Sequence, residues 1–205
     1  NAKATTSRTG VGIRRKMKIL GINCMNHDAA MSVVDYSSGI GEVLWAAHAE
    51  RYSKVKNDHY LNWQIVNEAM TYGPFDKVVY YEKPWLKKTR QLYAGQWSDA
   101  LSYTELPQWH LDNFNIKIDE YVKHHDSHAA AGYFTSPFRE ATILTVDAIG
   151  EWDTVSISTA EKIWIERKET IKYPHSIGIL YSAFTHRCGL KPAEEEYILM
   201  GMAAY

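Results

Sequence analysis

The sequence predicts an α/β fold, and two observations lead to that prediction. Three short β-rich segments separated by turn residues are followed by a segment with helical spacing, and this succession occurs twice, near residues 18–72 and 141–188. The residues of the two copies are dissimilar, so only the element order repeats. That order is the plan of the actin/sugar-kinase/Hsp70-type ATPase (ribonuclease H-like) fold, in which two lobes face each other across a nucleotide cleft. We expect the first lobe to be complete and the second to be partial.

The first copy combines a three-stranded meander with a capped helix. Asn62 is a suitable N-cap, and Ile65, Val66, Ala69 and Met70 follow it at helical spacing. Further alternating and apolar segments extend the lobe. The predicted strands are 18–23, 29–35, 42–48, 77–81 and the end of one at 120–123, and the predicted helices are 62–72, 86–104 and 128–134.

The second copy starts with three β-rich segments and continues with a helix for which Gly189 is the expected C′ residue. Its predicted strands are 141–147, 153–158 and 162–167, and its predicted helices are 176–188 and 194–204. The expected organisation is a flexible basic tail or tag at 1–16, a first lobe at 17–139 and the start of a second lobe at 140–205.

Composition excludes several classes of protein. The 205 residues are 45% hydrophobic, enough for a core, yet they lack the apolar run of roughly 20 residues that a membrane helix needs. The net charge of −1 argues against a general nucleic-acid binder. The two Cys residues cannot form a disulfide framework and a signal-peptide core is missing, so we expect a reducing, cytoplasmic setting. The seven Trp residues are expected in core or half-buried packing.

Three His residues lie close together in the segment His124-His125-Asp126-Ser127-His128. If this segment is helical, His124 and His128 share one face about one turn apart, where two neutral imidazoles can chelate iron or zinc. Such a metal would need a third ligand from elsewhere, most simply a carboxylate. The alternative is a polar helix start that Asp126 or Ser127 caps.

Three further clusters have polar residues in turns or loops. In 146–154, Asp147 ends a strand before a turn through Gly150 and Glu151. Such a turn offers backbone N–H groups and acids to a phosphate and its metal ion, although taken alone an ordinary β-hairpin is the commoner interpretation. His27 beside Asp28 can serve as a general base toward a hydroxyl, or can simply be a turn. The segment 49–59 has basic groups, of which Arg51 and Lys56 can grip a phosphate or carbamoyl oxygen, unless it is only a solvated loop.

Taken together and in this order, these clusters resemble the carbamoyltransferase family of nodulation and antibiotic-tailoring enzymes, the NodU/CmcH type. The similarity covers nearly all of 17–205. The segments that carry it are ILGINCMNHDAA, AERYSKVKNDH, VKHHDSHAAAGYFTSPF, LTVDAIGEWDT, YPHSIGILYSAFTHRCGL and EEEYILMGMAAY.

This resemblance implies an N-terminal domain like the universal tRNA threonylcarbamoyl-transfer protein, in the two-lobed ATPase fold. In the family, carbamoyl phosphate and ATP give carbamoyl-adenylate on a C-terminal domain like the YrdC threonylcarbamoyl-adenylate synthase. The N-terminal domain then transfers the carbamoyl group to a hydroxyl of a small-molecule or glycan acceptor. The resemblance implies that catalysis uses His27 and Asp28, that Asp147, Gly150, Glu151, Arg51 and Lys56 hold the cofactor, and that His124 and His128 bind a divalent metal, Fe(II).

Two departures from the family pattern shape our expectations. Ala148 stands where the family often has Gly, and because Ala disfavours a positive φ the turn is expected to differ. The rest of the second lobe, the third metal ligand and the YrdC-like domain are expected to lie outside these 205 residues, so we expect the chain alone to be inactive. The alternative is a non-catalytic nucleotide- or metal-binding module, or a fragment that needs a partner chain. A homodimer is a further expectation for the partners.

Overall fold

The computed structural model describes residues 17–26, 28–39 and 41–204. The chain divides into two compact units, of which one ends at Val79 and the other begins at Tyr80. The predicted tail at 1–16 lies outside the described residues. The predicted boundary between lobes at 139/140 stays a prediction.

The first unit is built on a meander of strands β1 (Lys18–Asn23), β2 (Ala30–Asp35) and β3 (Glu42–His48). β1 pairs with β2 in antiparallel register, and β2 pairs with β3 around an irregularity between Val33 and Val34. Strand β4 (Lys77–Tyr80) starts on the other side of β1, giving the order β3-β2-β1-β4.

Two helices follow β3, the short α1 (Glu50–Ser53) and α2 (Trp63–Met70). Asn62 caps α2 as predicted, because its side-chain oxygen accepts the N–H groups of Gln64 and Ile65 at 3.1 Å each. The buried face of α2 and the sheet form the core of this unit. Its fully or almost fully buried members include Leu20, Ile22, Met31, Val33, Ile65, Val66 and Ala69.

The second unit begins with helices joined by short turns. The helix predicted at 86–104 is interrupted around Gly95, which has a φ of +77°. The helix predicted from 128 begins at His124 instead. The elements are α3 (Pro84–Tyr93), α4 (Trp97–Leu101), α5 (Pro107–Leu111), β5 (Glu120–Tyr121) and α6 (His124–Phe134).

An antiparallel sheet follows, with strands β6 (Glu140–Gly150), β7 (Asp153–Glu161) and β8 (Trp164–Lys172) in the order β6-β7-β8. Helix α7 (Ile177–Arg187) is capped by the Ser176 hydroxyl, which accepts the Ile179 N–H at 3.0 Å. Gly189 follows α7 with a φ of +79°, as its predicted C′ role requires. Helix α8 (Glu196–Met202) comes last.

The chain therefore has the predicted α/β class. Each unit contains three consecutive antiparallel strands followed by helix, which confirms the repeated element order of the actin/sugar-kinase/Hsp70-type fold. Among the described residues, no helix combines the length and the apolar character that crossing a membrane requires.

Candidate metal centre and neighbouring loops

Helix α6 places two of its imidazoles side by side in the second unit. His124 and His128 lie one helical turn apart, and their Nε2 atoms are 3.0 Å from each other. His124 is buried, whereas the side chain of His128 is 55% exposed. The pair is therefore open to solvent on one side only.

Asp147 completes a group of three potential ligands. Its Oδ2 lies 2.9 Å from Nε2 of His124 and 3.8 Å from Nε2 of His128. Asp147 falls where the register of β6 against β7 is irregular, between Val146 and Gly150, and the Ala148 N–H donates to its Oδ1 at 2.7 Å. We expected a third ligand from outside the chain and placed Asp147 on the phosphate side. The signal in the sequence that points to this ligand is an acid at the end of a predicted strand. In the structure, Asp147 lies between Val146 and Gly150, where β6 loses its regular pairing with β7.

The donor set suits a divalent metal. Two imidazole nitrogens and one carboxylate oxygen lie within 4.8 Å of one another, the combination typical of non-haem iron sites and also used by zinc. The remaining ring nitrogen of His124, Nδ1, is buried and has no hydrogen-bond partner of good geometry, but Oε2 of Glu82 lies 3.5 Å from it. A carboxylate at this nitrogen orients an imidazole whose Nε2 binds a metal.

The charges of the cluster shift its pKa values strongly. Burial by itself lowers the pKa of His124, but the carboxylates of Asp147 and Glu82 outweigh burial and raise that pKa to about 9. Burial raises the pKa of Asp147, yet His124 and the Ala148 N–H overcome it and lower the pKa to about 2. Burial lowers the pKa of His128, and the positive charge of His124 adds to this effect.

Gly150 and Glu151 lie behind the cluster. A Cβ on Gly150 would stand 2.5 Å from Cδ2 of His124, so only glycine allows the ring to lie against this strand end. The Glu151 side chain is buried and accepts backbone N–H groups, and burial raises its pKa while those N–H groups oppose the rise. The contacts with a phosphate that the resemblance implies for both residues stay predictions. Ala148 adopts no positive φ; Glu151 does, at +62°.

Two more groups hold α6 against the sheet. The buried His125 Nδ1 lies 2.9 Å from the Ser156 hydroxyl oxygen on β7. Arg167 on β8 donates to both Asp126 on α6 and Asp153 on β7. Sequence patterns gave no sign of Arg167, because its partners are far from it along the chain.

The first unit contains the other predicted residues. Asp28 lies in the turn after β1 with a φ of +57°, whereas His27 lies outside the described residues. Backbone hydrogen bonds join this turn to the basic segment 49–59, since the Met25 N–H donates to the carbonyl of His59 at 2.8 Å and the Ala29 N–H to that of Asp58 at 2.7 Å. The structure thus brings two of the predicted clusters together.

Arg51 and Lys56 lie on the surface of that segment. Both residues are exposed, and the Arg51 guanidinium is 3.9 Å from the Glu50 carboxylate. Side-chain hydrogen bonds anchor the start of this segment to α2. The Tyr52 hydroxyl on α1 donates to the Glu68 carboxylate at 2.6 Å, and the Trp45 indole N–H on β3 donates to the same carboxylate at 2.9 Å. Both basic side chains are therefore accessible from solvent.

Comparison with known proteins identifies the family to which the chain belongs. A family model described as carbamoyltransferase N-terminus matches residues 91–205, which include His124, His128 and Asp147. The chain belongs to this carbamoyltransferase family. The recognised resemblance is thereby confirmed at the level of the family.

Three curated proteins are similar to the chain along most of its length. It is 31% identical over 91% of its length to an uncharacterized protein of Synechocystis sp., 26% identical over 91% to one of Methanocaldococcus jannaschii, and 25% identical over 89% to the nodulation protein NolNO of Sinorhizobium fredii. It covers 34%, 33% and 28% of those proteins, so it spans about a third of their length.

Solved structures give a more distant similarity. The chain aligns with the Ppx/GppA enzyme of Aquifex aeolicus with a TM-score of 0.43 and 12% identity, over 89% of this chain and 60% of that one. Another structure from the same family in that organism aligns with a TM-score of 0.36 and 11% identity, over 82% and 54% of the two chains.

Proposed function

We propose that the chain is the N-terminal part of an O-carbamoyltransferase, which transfers a carbamoyl group from carbamoyl-adenylate to a hydroxyl of a small-molecule or glycan acceptor. The family assignment supports this class of reaction. The single observation that carries the proposal is the convergence of His124, His128 and Asp147 within 4.8 Å, inside the matched segment.

The reaction balances without a redox partner. The acceptor oxygen attacks the carbamoyl carbon, the bond from that carbon to the adenylate oxygen breaks, AMP leaves, and the hydroxyl proton passes to a base. A mixed anhydride is already activated, so the protein has to position the two substrates, stabilise charge and remove the proton. We assign the proton to His27 with Asp28 beside it, on the basis of the sequence alone.

The proposed metal site would be held by His124, His128 and Asp147, with Fe(II) the ion that the resemblance implies. A divalent ion bound there supplies positive charge for a leaving phosphate. The chain's own residues set the geometry, since α6 spaces the two imidazoles and Glu82 faces the remaining nitrogen of His124. We assign Asp147 to the metal, whereas Gly150, Arg51 and Lys56 keep their proposed place on the nucleotide side.

The partners follow from this proposal. The complete protein would use carbamoyl phosphate and ATP, with a YrdC-like domain to form the adenylate. The three proteins compared above are about three times as long as this chain, which leaves room for such a domain in them.

The test uses the complete gene product and this chain in parallel. In the complete product, His27→Ala and His124→Ala are expected to abolish carbamoyl transfer to hydroxyl acceptors supplied with carbamoyl phosphate and ATP. Wild-type turnover in both variants would contradict the proposal. In this chain, titration with ATP and with anaerobic Fe(II), followed by Trp fluorescence, is expected to give a response. Binding without any transfer by the complete product would instead support a non-catalytic nucleotide- or metal-binding module.

A further inference from the structure

Glu151 holds a position that a phosphate contact does not explain. It lies in the turn between β6 and β7, yet the residue is only 4% exposed because its side chain turns back into the second unit. Its Oε1 accepts two backbone N–H groups, that of Lys83 at 2.6 Å and that of His124 at 3.3 Å.

Both of these N–H groups are at helix starts. Lys83 is the N-cap residue of α3, and His124 is the first residue of α6. The first N–H groups of a helix have no partner within it and are usually satisfied by the N-cap side chain. Neither Lys83 nor Lys123, the two N-cap residues, makes such a bond. The Glu151 carboxylate therefore supplies an acceptor at the start of each of these two helices.

We propose that Glu151 is a positioning residue for the metal centre, an inference that rests on the proposed function. Glu151 belongs to the same hairpin as Asp147, whereas α6 contributes His124 and His128. The bond from the His124 N–H to Glu151 ties the helix with the two imidazoles to the strand with the carboxylate. The fit is close, since a Cβ on the neighbouring Gly150 would stand 2.5 Å from the His124 ring.

The chemistry separates this role from a charged contact with a ligand. A single oxygen, Oε1, accepts both N–H groups, so a neutral amide oxygen at that place can do the same. A carboxylate that acts through its negative charge loses that effect when an amide replaces it. Glu151→Gln is therefore expected to behave like the wild type, and Glu151→Ala is not.

The experiment is a titration of the chain with Co(II), a spectroscopic substitute for Fe(II), followed by its visible absorption. Glu151→Ala is expected to weaken Co(II) binding about 10- to 100-fold, as losses behind metal ligands do, and Glu151→Gln by less than about 3-fold. Glu196→Ala is the matched control. Its carboxylate also accepts a backbone N–H, that of Ala193 at 2.6 Å, but at the start of α8, and its loss is expected to leave Co(II) binding unchanged.

Unchanged affinity in Glu151→Ala, or equal weakening in both Glu151 variants, would overturn the proposal. A second measurement covers the case in which Glu151→Ala does not fold. In the wild-type chain, the His124 amide is expected to exchange with solvent slowly although it is the first of its helix, and to stay slow in Glu151→Gln. Fast exchange in the folded wild type would overturn the positioning role. Absence of Co(II) binding by the wild type would instead count against the metal centre of the proposed function.

Discussion

At the scale of single residues, His124 has the largest number of roles in the cluster. Its Nε2 faces Asp147, its Nδ1 faces Glu82, its backbone N–H reaches Glu151, and its ring lies against Gly150. Protonation and metal binding compete for the same Nε2 atom. A metal that binds the cluster therefore has to displace the proton from this nitrogen.

In the metal-free chain, His124 is expected to titrate near 9 rather than near its usual 6.5, because two carboxylates stabilise its charged form. The folded-state pKa is the higher one. The resulting stabilisation is therefore complete below about 6.5 and is lost as the pH rises through about 9. NMR titration of the imidazole measures the shift, and Glu82→Gln is expected to reduce it. A midpoint near 6.5 in the wild type would show that the carboxylates do not act on this ring.

Glycine substitutions test the close approach of strand and ring. Gly150→Ala is expected to destabilise the chain by about 1–3 kcal/mol, as overpacking does, and to weaken Co(II) binding by displacing His124. Gly132→Ala is the matched control on α6, since a Cβ there meets nothing within 4 Å. It is expected to stabilise the helix by about 0.5–1 kcal/mol. Urea denaturation measures both, and equal effects would argue against the close contact.

At the scale of elements, capping determines where the helices begin. Helices α2 and α7 start at side chains that cap them locally, Asn62 and Ser176, and the sequence predicts both starts within one residue. Helices α3 and α6 lack such a residue and obtain their acceptor from Glu151 in a distant hairpin. Local patterns contain no information about such a partner, which is why the start of α6 was predicted at 128 rather than at His124.

Removing the local cap of α2 measures how much a side-chain cap contributes to stability. Asn62→Ala is expected to lower the free energy of unfolding by about 1 kcal/mol, because two N–H groups lose their acceptor. Asn62→Asp keeps an acceptor oxygen and is expected to stay close to the wild type. Chemical denaturation compares the three proteins, and a loss of the same size in Asn62→Asp would mean that the cap is not responsible.

At the scale of the whole molecule, the sequence predicts the strands and the repeat well but the surface poorly. Alternation and turn residues are local signals, so every predicted strand has its counterpart. The seven Trp residues are expected in core or half-buried packing, yet Trp97 and Trp164 are 62% and 74% exposed. The Cys188 side chain is also exposed. The site was predicted in part: the two imidazoles follow from helical spacing, but Asp147, Glu82 and Glu151 join them only through the tertiary fold.

Metal binding is expected to stabilise the second unit, which contains all three proposed ligands, and not the first. At Co(II) concentrations about 100 times the dissociation constant, linkage predicts about 2.7 kcal/mol of stabilisation for the transition that unfolds the second unit. A transition confined to the first unit is expected to stay in place. Calorimetry with Co(II), then with excess chelator, checks both statements. Stabilisation that survives in a His124→Ala and His128→Ala double variant would place the ion elsewhere.

The backbone pairing in the first unit has a consequence for exchanging parts between relatives. The turn after β1 and the basic segment 49–59 hold each other through main-chain bonds, at Met25 with His59 and at Ala29 with Asp58. Main-chain bonds tolerate changes of side chain but not changes of length. The two segments therefore form one module: a chimaera that imports a longer basic segment must import the matching turn with it, whereas point substitutions in either segment leave the main-chain pairing in place.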